Sequence, residues 1–174
     1  ADVSAQTVFN YFPTKEDLVY WRLESFEDEL LSTIRAREPG ESVLAAFGRF
    51  VRAPRGMLGD HDEATREQLA ALTGMIVSSP ALLAREQQIF AHNTDALAEL
   101  LGGDVQARVA ATALMGAHRA LVDFTRGRIV AGARGPALAD EVRAQADAAL
   151  GLLSRGLADY GAASAFSIMM MVIT

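Results

Sequence analysis

Cysteine is absent from the 174 residues. This excludes disulfides, thiolate metal sites and cysteine nucleophiles, and it fits a reducing compartment such as the cytoplasm. Proline is scarce, with five in the chain, β-branched residues are sparse, and no long alternating run suggests a strand. The most apolar stretch, Ile168 to Ile173, is far shorter than the roughly 20 residues a membrane helix needs, so no membrane partner is expected. No signal peptide opens the chain, and Ala1 in place of Met sets the expectation that the true start lies upstream. His61, His92 and His118 are scattered, without a paired metal spacing, a nucleophile elbow or a phosphate loop nearby. No catalytic residue, metal or cofactor is therefore expected, and the chain does not read as an enzyme.

Alanine, leucine, arginine and glutamate are plentiful instead, and these lose little side-chain freedom in a helix. Half of the chain is hydrophobic (51%) and 22% is charged, ordinary values for a folded protein. The net charge of −6 argues against a broad nucleic-acid face, because phosphate contacts need Lys and Arg. A small basic head is the most that balance allows.

Punctuation divides the chain into helices and predicts an all-α fold. Ser4 caps a short helix, about 4–11, stopped by Pro13; Thr14, with Asp17 three residues on, caps a long one closed by Pro39-Gly40. That long helix carries the stripe Val19, Leu23, Phe26, Leu30 and Ile34. A helix follows from Ser42 to Val51, then one opened by the pair Asp60 and Glu63. Ser79-Pro80 starts another, ending at Gly102-Gly103, since proline at the first helical position loses nothing. Asp104 caps the longest, to about Ala131, and Gly135-Pro136 starts the last, reaching Tyr160. The acidic run Glu24, Glu27, Asp28 and Glu29 reads as a solvated face. The tail 162–174 is apolar, without helical periodicity, and stays unassigned.

The segment from Val3 to Leu18 carries the functional signal. Its short capped helix is small enough for the major groove, about 12 Å wide. Gln6 and Asn10 share one face and are side chains that can pair with adenine, while Thr7, Tyr11 and Lys15, four apart, suit phosphate contacts. Val3, Ser4, Thr7, Phe9, Tyr11, Phe12, Lys15, Glu16 and Leu18 meet the signature Val-Ser-x-x-Thr, aromatic, Tyr-Phe-x-x-Lys-Glu-x-Leu. In these residues the chain resembles the TetR family of bacterial transcriptional regulators, along a short part of its length. Asp2 stands where that family usually has glycine.

The resemblance implies a three-helix head, of which residues 1–18 would be the end, and a ligand-binding and dimerisation body over 19–161. It implies that Thr7, Tyr11 and Lys15 hold the DNA backbone, that Ser4 and Ala5 lie close to it, and that Gln6 and Asn10 read bases. The first two head helices are missing from this sequence, so the chain by itself is not expected to bind DNA specifically. A homodimer through the last two helices is implied, and Leu121, Phe124, Val142, Ala146, Ala149, Leu150, Leu153 and Leu157 offer it an apolar surface. For an effector, Trp21, Phe47, Phe50, Met75, Phe90 and Met115 can form an aromatic and thioether wall. Asn93, Thr94, His118, Arg119 and Asp123 can supply its polar anchors. The expected function is a ligand-responsive repressor on palindromic double-stranded DNA, released by a small molecule. The alternative is a helical ligand-binding or interaction protein without DNA binding.

Overall fold

The computed structural model describes residues 14, 16–20, 24–53 and 62–156, and every regular element among them is an α-helix. In chain order these are α1 (Asp17–Tyr20), α2 (Glu24–Arg35), α3 (Val43–Arg52), α4 (Glu63–Ser78), α5 (Pro80–Leu100), α6 (Val105–Val130) and α7 (Gly135–Arg155). The recognition segment 4–11, Lys15, Trp21, Leu157 and the tail 162–174 lie outside the described residues.

Local chemistry sets most helix starts. Thr14 and Asp17 cap each other: the Thr14 backbone N–H donates to Asp17 (2.9 Å), and the Asp17 N–H donates back to the Thr14 hydroxyl (3.3 Å). Ser42, Ser79 and Asp104 each accept from the backbone N–H three residues on. One expected start moves. Asp62, not Asp60, caps α4, accepting from the Thr65 N–H at 2.8 Å. The helix expected to run unbroken from Thr14 is described as α1 and α2, with 21–23 between them outside the described residues.

Glycine sets the ends. After α5 the Gly102 N–H reaches the Glu99 carbonyl and the Gly103 N–H reaches Ala98, a Schellman closure with both glycines at positive φ. The last helix was expected to reach Tyr160. It closes at Arg155, because Gly156 turns to φ +72°.

Helices α5 and α6 form an antiparallel hairpin, and α6 also packs against α3, α4 and α7. The main core joins Leu30 and Ile34 of α2, Phe47 and Phe50 of α3, Leu97 of α5, Leu114 and Met115 of α6, and Leu150 of α7. Each of the larger side chains contributes roughly 1.5–3 kcal/mol by leaving water. Two smaller clusters flank it: Tyr20, Ile76 and Leu82 at one place, Ile129, Leu138 and Val142 at another. Among the described residues no single helix is long and apolar enough to cross a membrane.

Candidate functional site

The inward stripe of α5 runs Leu82, Glu86, Phe90, Asn93 and Leu97, so an acid and an amide stand where a bundle expects hydrocarbon. Facing it, α6 presents Met115, His118 and Arg126. α2 adds Phe26, whose ring stacks on His118 with centroids 4.6 Å apart and 23° between planes. Phe90 lies 5.6 Å from the same imidazole, and Phe50 meets Phe26 edge-on at 5.1 Å. The Arg119 guanidinium sits 5.2 Å from the Phe90 ring centre, within cation–π range, and 3.8 Å from Asp123.

Beside this aromatic group, Arg126 grips Glu86 with two hydrogen bonds, 2.7 and 2.5 Å. Only 14% of the Arg126 side chain and 3% of Glu86 remain accessible. Burial alone would lower the Arg126 pKa, but the bond and charge of Glu86 reverse that and raise it. The Tyr20 hydroxyl donates to the Leu82 carbonyl at 3.0 Å, and burial, then the Glu86 charge, push its pKa up to about 12. His118 goes the other way. Burial lowers its pKa to about 4, with Glu86 opposing, so the imidazole is neutral near neutral pH.

Asn93 is fully engaged. With its amide turned to match donors with acceptors, its nitrogen donates to Glu27 (2.8 Å) and to the Ile89 carbonyl (3.3 Å). Glu27 also lies 3.2 Å from His92. The solvated acidic face expected on α2 therefore has an exception at Glu27, while Asp28 and Glu29 are exposed.

The expected effector residues separate into groups. Phe50, Phe90, His118, Arg119 and Asp123 come together. Phe47 and Met115 are interior core. Thr94 is half-buried, its hydroxyl donating to the Phe90 carbonyl at 2.7 Å. Met75 is on α4 with 46% of its surface exposed. Glu86, Arg126, Phe26, Tyr20 and Glu27 were not anticipated. A charged residue on an apolar stripe was the available signal for Glu86. Among the described residues no group of three or more His, Asp or Glu could hold a metal ion.

The residues expected at a dimer seam are mostly occupied within the chain. Leu150 belongs to the main core, and Val142 packs with Ile129 and Leu138. Leu121 and Ala146 are also buried, and Phe124 and Leu153 lean on the same clusters. Ala149 is half-buried. The outward face of α6 is different: Val109 (64% exposed), Ala113, Gly116, Ala120, Asp123, Gly127 and Val130 (62% exposed) alternate at four and three residues. Among the described residues a Cβ added at Gly116 or Gly127 would meet nothing within 4 Å. No family model matches the chain, and neither does any curated protein or solved structure.

Proposed function

We propose that this chain is the regulatory body, with the end of the DNA-reading head, of a ligand-responsive transcriptional regulator of the TetR type. The junction between the two carries the reading. The motif Val3 to Leu18 runs into α1, and α1 is bonded to α5 on both sides of one residue pair. Arg85 donates to Asp17 at 2.8 Å, and Tyr20 donates to the Leu82 carbonyl. Arg85 is the immediate neighbour of Glu86, so the head's attachment and the His118 cluster share one turn of α5. An effector in that cluster would favour heads spaced wrongly for consecutive grooves. By linkage, operator DNA must then weaken the effector by the same factor.

The test is selection from random duplexes by a polypeptide joining this chain to the first two head helices the resemblance calls for. A palindrome with half-sites about 34–36 Å apart, or a multiple, is expected. A folded dimer that enriches nothing would instead be a helical ligand-binding or interaction protein.

The partner in this reading is a second copy, seated on the outward face of α6. Antiparallel pairing about Ala120 sets Val109 against the partner's Val130 and Ala113 against the partner's Gly127. It also places Gly116 opposite the partner's Asp123, leaving room for that side chain. Glycine inside a helix costs about 1 kcal/mol relative to alanine, and among the described residues nothing crowds Gly116 or Gly127. The strip from Val109 to Val130 is about 32 Å long. Were the exposed Ala137, Ala144 and Ala148 of α7 to extend it, the strip would be about 20 Å wide. That gives some 640 Å² per copy, close to the roughly 800 Å² of an ordinary stable interface. Ala120→Arg is expected to yield a folded monomer by light scattering. Gly127→Ala should weaken association while leaving each copy as stable or slightly more so. A dimer untouched by Ala120→Arg would place the seam elsewhere.

A further inference from the structure

Among the described residues the His118 imidazole differs from the buried polar side chains of this bundle. Thr73 and Thr125 are buried and donate to carbonyls one turn back, and Tyr20 donates to Leu82. Glu86 is matched by Arg126 and Asn93 by Glu27. His118 has ring neighbours on α2 and α5 but no hydrogen-bond partner among the described residues. It is surrounded by protein, yet its ring keeps accessible surface. Among the described residues no buried side-chain nitrogen or oxygen lacks a hydrogen-bond partner, so the nitrogens of His118, which no described residue pairs, lie at accessible surface where an incoming group can pair them.

The surroundings select the chemistry of that partner. Phe26 stacks nearly parallel on the imidazole, Phe90 leans over it and Phe50 backs Phe26 edge-on, so a flat ring extends an existing stack. Charge is disfavoured in either sign. A carboxylate would approach Glu86, and a cation would meet Arg119 and Arg126. A neutral imidazole holds one donor nitrogen and one acceptor, and a hydroxyl can pair with either.

We propose that the cluster of Phe26, Phe90 and His118 binds an uncharged aromatic compound bearing a hydroxyl, which hydrogen-bonds to a ring nitrogen of His118. This rests on the cluster being the effector site of the proposed regulator, but its test involves no DNA. The probe is 2-naphthol, titrated calorimetrically into the full chain near neutral pH, with naphthalene and 2-naphthoate in parallel. One 2-naphthol per chain is expected. His118→Phe should weaken it about tenfold, the worth of one hydrogen bond, and His118→Gln should retain most of the affinity. Naphthalene should bind about equally to the original chain and to His118→Phe, and 2-naphthoate at least tenfold more weakly than 2-naphthol. A thermal melt of each variant confirms that it is folded. Absence of 2-naphthol binding overturns the proposal, as does 2-naphthol affinity indifferent to His118→Phe or a preference for 2-naphthoate. Failure here leaves the operator selection standing; binding with no selected operator would leave the ligand site and remove the regulator.

Discussion

Arg126→Met is expected to cost about 3–5 kcal/mol of folding stability, because it leaves the Glu86 carboxylate buried with no counter-charge. Glu86 lies 3% accessible between α5 and α6, and both of its oxygens accept from the Arg126 guanidinium. The Glu86 carboxylate reaches water only if α5 and α6 part, while Arg126 keeps a small accessible surface. Removing both is a different matter. Glu86→Leu with Arg126→Met exchanges a desolvated pair for hydrocarbon of similar volume, and should return to within about 1 kcal/mol of the original. Urea unfolding of the four proteins gives the coupling energy directly. A double variant whose loss equals the sum of the two single losses would mean that the pair is uncoupled. A single variant costing less than about 1 kcal/mol would mean that Glu86 finds water.

The second large effect is an acid-side loss of stability centred on His118. Its pKa is near 4 in the folded chain, against 6.5 for a free imidazole. Between those values the unfolded chain holds a proton that the folded chain excludes, so stability must fall as pH falls from about 6.5 to about 4. Above 6.5 the group contributes no slope. The loss integrates to about 3 kcal/mol at about 1.4 kcal/mol per pKa unit. Carboxylates act later. Burial pushes the Asp17 pKa up, but hydrogen bonds from Thr14 and Arg85 outweigh it and hold the pKa below 3.8, so its share is lost only in stronger acid. Denaturation midpoints measured across that window should therefore fall steeply for the original chain and stay nearly level for His118→Phe. Parallel curves for the two proteins would show that the imidazole accepts its proton at little cost.

What could be read from the sequence was what depends on near neighbours. The caps at Ser42, Ser79 and Asp104, and the reciprocal pair Thr14 and Asp17, need only groups three residues apart. Asp60 and Asp62 offer the same chemistry two residues apart, and spacing to Glu63 selected the wrong one. The Glu86–Arg126 pair joins residues forty positions apart on two helices, and nothing local marks either partner for the other. The helix faces of α6 were misjudged for a related reason. Small and large apolar residues fall on more than one of its faces, so periodicity identifies two stripes without ranking them. Packing decides: the larger Leu121 turns inward and the small Ala120 outward, the reverse of what an apolar dimer seam suggested. The DNA contacts expected at Ser4 to Tyr11 and at Lys15 lie outside the described residues.

Helix α6 is also a stiff rod. Its 26 residues measure about 39 Å, and His118 stands near the middle, about 20 Å from one end and 18 Å from the other. A tilt of about 10° pivoting there carries each end through about 3 Å, comparable to the shifts that separate states in switching proteins. One end meets the loop after α5 and the other the turn into α7, so a displacement too small to disturb the stacked rings becomes large where helices are joined. The gain comes from the lever's length, not from the strength of any contact at its fulcrum.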